Sequence, residues 1–140
     1  MEIGRALYEE LVAHAVEDRP NECCGLVAAE DEVAKQVYRV KNAYKYPSAG
    51  YEMGADAARF IVEIDDAGRE VGAIYHSHPR TAAKPSETDI NLAFVPKTTQ
   101  PRWPGTLYII IGFPDGRADP EVRAYRIDAD GVEEVALSVR

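Results

Sequence analysis

The run Val71-Gly72-Ala73-Ile74-Tyr75-His76-Ser77-His78-Pro79 constrains the fold more than any other stretch. Val71 to Tyr75 is apolar on both faces, which suits a central strand covered above and below. Side chains alternate along a strand, so His76 and His78 leave its end on the same side. A short loop then leads to Pro85-Ser86-Glu87-Thr88-Asp89, which reads as a helix start with Ser86 at the N-cap. The chain has only 3 histidines, and two of them fall in this one strand-loop-helix unit. Two neutral imidazoles and one carboxylate, from His76, His78 and Asp89, make the three-ligand set of a catalytic zinc site with water in the fourth position. Ser-x-x-Asp is also the pattern of a plain capping box, and histidines at strand ends are often structural. Capping alone leaves the histidine pair unexplained.

Around this unit the chain reads as interleaved helices and strands. Ile3, Leu7, Leu11, Ala15 and Val16 recur at helical spacing and predict a helix over 3–18, carrying His14 at its surface or boundary. Strands are expected over 22–30 and 33–40, paired as a hairpin, with a loop at 42–50 and a short strand at 51–53. Ala57, Phe60, Ile61 and Ile64 give a second helix its buried stripe. After the helix at 86–94, residues 96–105 hold three prolines and Trp103 and read as irregular. Strands follow at 107–113 and 121–127, with a turn at Pro114-Asp115-Gly116 and a final strand running through Val139. Helices mixed with hairpins predict an α/β sandwich with a mixed, largely antiparallel sheet. No linker or repeat interrupts residues 1–140, which read as one domain.

Charge narrows the function classes. Lys+Arg 16 against Asp+Glu 24 gives a net charge of −8, with no basic stripe to meet a nucleic acid. No apolar run is long enough to cross a membrane, and the first residues lack a signal-peptide pattern. Cys23 and Cys24 are adjacent and cannot staple distant segments; they read as small buried hydrophobes. A cytoplasmic, reduced protein is the expectation.

The motif H-x-H-x7-S-x-x-D, spanning His76 to Asp89, resembles the signature of the JAMM (JAB1/MPN/Mov34) zinc metalloproteases. Pro20-Asn21-Glu22-Cys23-Cys24-Gly25 resembles the Pro-x-Glu-x-Cys-Gly stretch of the bacterial members. The resemblance implies the MPN fold, related in layout to the cytidine deaminases. It implies one zinc per chain on His76, His78 and Asp89, with Ser86 stabilising an oxyanion and Glu22 handling the proton of the attacking water. Spacing alone does not single out Glu22 among the glutamates. The implied substrate is a ubiquitin-like sulfur carrier ending in Gly-Gly, cut from an attached cysteine or lysine.

Groove walls for such a tail are expected from the Tyr44–Tyr51 loop, with Tyr46 and Tyr51, and from the loop bearing Trp103. Trp103 folded onto the core is an equal alternative. A deubiquitinase-like isopeptidase and a catalytically inactive MPN scaffold stand as other readings. A nucleobase deaminase does not, because H-x-E and P-C-x-x-C are both missing. The residues leave oligomeric state open, with a homodimer among the options.

Overall fold

A computed structural model describes residues 1–140. The elements run β1 (Glu2–Ile3), α1 (Arg5–Asp18), β2 (Cys24–Glu30), β3 (Val33–Val40), α2 (Asp56–Asp66) and β4 (Glu70–His78). They continue with α3 (Glu87–Leu92), β5 (Leu107–Gly112), β6 (Glu121–Asp128), β7 (Gly131–Val135) and β8 (Ser138–Val139). All eight strands join one sheet in the order β7-β6-β5-β4-β2-β3-β1-β8. β4 pairs antiparallel with β2 and parallel with β5, so the apolar run that ends in the histidines is central, as its composition requires.

Each face of the sheet has its own core. Ile3, Leu11 and Ala15 pack with Val27, Ala73, Tyr75, Ile109 and Ile111 beneath α1. Ile64 of α2 packs with Leu26, Ile74, Ile110 and Tyr125 on the other face. Alternation along β4 therefore sends Tyr75 toward α1 and His76 toward the face that carries α2 and α3. Burying both faces removes most of the sheet's apolar surface from water, at roughly 25 cal/mol per Å².

Two expectations about the ends of the chain are corrected. Glu2–Ile3 forms β1, and the helix starts only at Arg5. Ile3 is fully buried through strand pairing with β3 and β8, so its helical spacing to Leu7 is incidental. The last stretch is two strands: β7 completes a hairpin with β6, and β8 lies parallel to β1. β7 and β8 are consecutive in the chain yet occupy the two ends of the strand order. Only a strongly curled sheet lets so short a connection span them.

His14 is also corrected: it is 5% exposed. Its Nδ1 lies 2.7 Å from the Tyr75 hydroxyl and its Nε2 3.4 Å from Asp18 Oδ2. The partner that buries it is 61 residues away, beyond the reach of local pattern. No helix is long and apolar enough to cross a membrane.

Candidate active site

β4 delivers His76 and His78 side by side, 1% and 9% exposed, with their Nε2 atoms 3.0 Å apart. The chain then turns through residues 79–85 and starts α3. Ser86 caps that helix: its Oγ accepts from the Asp89 backbone N–H at 3.0 Å. Asp89 returns the bond, Oδ2 accepting from the Ser86 N–H at 2.9 Å. The same Oδ2 lies 3.2 Å from His76 Nε2 and 3.1 Å from His78 Nε2. Capping and clustering with the histidines are thus one geometry, since the reciprocal cap aims the carboxylate.

The donor set fits a divalent cation. His78 Nδ1 lies 3.0 Å from the Ala82 carbonyl, which can only accept, so a neutral His78 carries its proton there and turns a lone pair outward at Nε2. That lone pair meets the carboxylate oxygen and the second imidazole nitrogen, and acceptors converge in this way only around positive charge. The ligand atoms all lie within 4.8 Å of one another. Ligands about 2.0–2.1 Å from a tetrahedral zinc sit ~3.3 Å apart, close to the triangle seen here. With only a proton to share, burial pushes His76 below the ordinary histidine range. Burial pulls His78 down too, but bonds to Asp89 and Ala82 outweigh it and leave it raised. Burial alone would raise Asp89; its bonds to both imidazoles hold it well below the usual carboxylate range instead.

Glu22 reaches this cluster through strand register. β2 pairs with β4 at Cys24↔His76, and two further residues in the antiparallel sense bring Glu22 alongside His78. Ser77 locks that approach from the opposite face of β4: Cys23 N–H donates to Ser77 Oγ at 2.8 Å, and Ser77 N–H to the Cys23 carbonyl at 3.1 Å. Asn42 Nδ2 donates to the Glu22 carbonyl and to the Gly50 carbonyl, both at 3.0 Å. Arg19 adds a brace, donating to the Pro79 carbonyl at 3.2 Å. Burial raises the Glu22 carboxyl to about 7, in the range where a carboxylate can both take and give a proton.

A cleft of about 470 Å³ joins these groups; Glu22, His78, Ser86 and Asp89 line it together with Tyr44, Tyr51 and Arg80. Tyr51 stacks on His76, whose buried Nδ1 has no hydrogen-bond partner. The other expected groove residues lie elsewhere. Tyr46 is 58% exposed and does not line the cleft, a place its neighbour Tyr44 takes. Trp103 lines a different cavity, with Val71, Gly72 and Leu107. The reason is topological: β5 runs parallel to β4, so the loop leading into β5 lies at the end of the sheet where β4 begins. Nor does the site lie on a sheet edge, because β4 is paired on both sides. Both cysteines are fully buried, and burial pushes their thiols up to about 12, too high for a nucleophile at neutral pH.

Of the expected groove residues Tyr51 does line the cleft, whereas no local sequence pattern marks Arg19 and Asn42 as framing the site. Only the register and the 42–53 crossing, where Asn42 bridges to Met53, bring them to it.

Residues 4–128 match the family described as prokaryotic homologs of the JAB domain. The chain is 30% identical over 138 residues to the desampylase of Haloferax volcanii, covering 94% of this chain and 90% of that protein. It is 30% identical over 135 residues to the CysO-cysteine peptidase of Mycobacterium tuberculosis, covering 95% and 86%. With a probable TtuB-protein conjugate cleaving protease of Thermus thermophilus it shares 34% identity over 138 residues, covering 98% and 81%. Its fold superposes on that of a JAB1/MPN domain protein from Archaeoglobus fulgidus with a TM-score of 0.59 at 22% identity, covering 100% and 96%. The paired histidines, the capped aspartate and the sheet that presents them therefore sit in a chain that belongs to the prokaryotic JAB/MPN family.

Proposed function

We propose that this chain is a zinc-dependent peptidase that hydrolyses the amide after the C-terminal Gly-Gly of a ubiquitin-like sulfur carrier. The observation that carries the reading is the cluster of His76, His78 and Asp89 at the wall of a cleft that His78 and Asp89 line together with Ser86 and Glu22. The names of the relatives point the same way: one is a CysO-cysteine peptidase, another a protease cleaving TtuB-protein conjugates.

His76 Nε2, His78 Nε2 and Asp89 Oδ2 would hold one zinc ion. When bound, zinc supplies Lewis acidity and brings the pKa of a water from 15.7 toward roughly 7. The protein's own groups do the rest. Glu22 takes a proton from the attacking water at its carboxylate and returns it to the departing nitrogen. Ser86 accepts its capping bond on Oγ, which leaves the hydroxyl hydrogen free to donate to the developing oxyanion. The water oxygen bonds to the carbonyl carbon, the C–N bond breaks, and a carboxylate and an amine leave. No step bonds the substrate covalently to the protein. Tyr51 and the buried strand ends keep bulk water from His76.

Incubation of the zinc-loaded protein with a carrier–cysteine adduct and with a carrier–lysine isopeptide tests the reading by mass spectrometry. Cleavage immediately after Gly-Gly, lost on removal of zinc, is the expected result. Intact substrates in both reactions would reject it. The Thermus relative's name favours one second reading, in which the attached group is a protein lysine.

A further inference from the structure

We propose that Arg80 makes the site selective for a leaving group with a free carboxylate, an α-amino acid joined through its own amine. The inference rests on the peptidase reading above and specifies what stands on the far side of the scissile bond.

Arg80 is the only arginine or lysine among the cleft-lining residues, against the acids Glu22 and Asp89. It is exposed and makes no hydrogen bond or ion pair within the chain. By contrast, Arg19, Arg39, Arg123, Arg126 and Arg140 all spend their guanidinium on protein oxygens. All five donors of Arg80 are thus available to a ligand.

Its backbone is held on both sides. The Pro79 carbonyl accepts from Arg19, the Ala82 carbonyl lies against His78, and the Ala83 N–H donates to Glu121 Oε2 at 2.8 Å. A free side chain on a fixed stem is the arrangement expected of a group that waits for a partner. Thr81 and Thr88 bring hydroxyls to the same cleft.

The chemistry then separates the two leaving groups. In an α-amino acid released from its carrier, the carboxylate is one carbon away from the scissile nitrogen. A planar guanidinium two residues beyond His78 matches that charge with a paired fork of N–H donors. A lysine joined through its side-chain amine presents only methylenes at that distance and leaves Arg80 unpaired. A charge-assisted bond of this kind corresponds to a preference of roughly 10–100-fold.

The test compares kcat/KM of the zinc-loaded protein on two substrates, a carrier–cysteine adduct and the same adduct with cysteine as its carboxamide. The wild type is expected to prefer the acid by roughly 10–100-fold, and Arg80→Gln to bring the ratio of acid to amide near one. Arg80→Lys, which keeps the charge and loses the fork, is expected to fall between. Equal rates on acid and amide in the wild type, or an unchanged ratio in Arg80→Gln, would overturn the proposal. Cleavage without preference leaves the peptidase reading intact, whereas no cleavage of either adduct removes both.

Discussion

The ring of Tyr51 lies on the imidazole of His76, with centroids 4.5 Å and planes 23° apart. His78 is oriented through its Nδ1 by the Ala82 carbonyl, but His76 Nδ1 is buried without a partner. An aromatic face therefore does for His76 what a hydrogen bond does for His78. Loss of a group that orients a metal-bound histidine typically weakens metal binding about 10–100-fold. Tyr51→Ala is expected to weaken zinc binding by that amount in a chelator competition, and Tyr51→Phe to retain it. Equal affinities for the two variants would show that the ring does not orient His76.

Ser86 joins a structural task to a proposed chemical one, and the two have separate readouts. Removing a side-chain cap costs about 0.5–2 kcal/mol of stability. Removing a donor to an oxyanion lowers kcat by about 10²–10³-fold. Ser86→Ala is expected to show both losses with KM little changed. A drop in thermal stability with kcat intact would restrict Ser86 to its capping role.

Glu22 gives a pH signature that does not depend on turnover. Its carboxyl is raised from 4.5 to about 7 by burial, so the folded state keeps a proton that the unfolded chain has released across that window. Stability from this group is fully present below the unfolded value and is lost as pH rises through the folded one. Glu22→Gln removes the titration and keeps the shape. In the metal-free protein, Glu22→Gln is expected to melt higher than wild type at about pH 8, with the difference closing by about pH 4. The same substitution is expected to lower kcat by ~10²–10⁴ while zinc still binds. Identical melting temperatures at both pH values would contradict the burial of this carboxyl.

What the sequence disclosed follows the range of the physics. His76, His78 and Asp89 lie within one local unit, so strand alternation and a helix cap are enough to place them together. The central place of β4 was legible because burial on both faces leaves a continuous apolar run. Glu22 was not legible from spacing, since the β2–β4 register that seats it spans two intervening elements. Whether Trp103 walls the groove is not legible for a related reason: loop composition carries no information about which end of a parallel strand pair it serves. His14 and Tyr75 meet where α1 packs on the sheet, a pairing 61 residues apart in the chain that periodicity does not encode.

Gly112 shows how packing outside the cleft reaches its geometry. It lies opposite His78 in the β4–β5 ladder, and the loop backbone crosses directly over it. A Cβ at this position would meet the Ala82 carbonyl carbon at 2.5 Å and the Ala83 Cα at 2.7 Å. Backbone cannot swing aside like the tip of a side chain, so Gly112→Ala is expected to destabilise by about 1–3 kcal/mol. The displaced segment is the one whose carbonyl orients His78, so zinc affinity should fall in the same variant. Gly4→Ala is the control, because Gly4 has ordinary backbone angles and nothing within 4 Å of its added carbon. Thermal melts and zinc titrations of the two variants check the argument. A Gly112→Ala protein as stable and as tight for zinc as Gly4→Ala would mean that the loop does not set the position of His78.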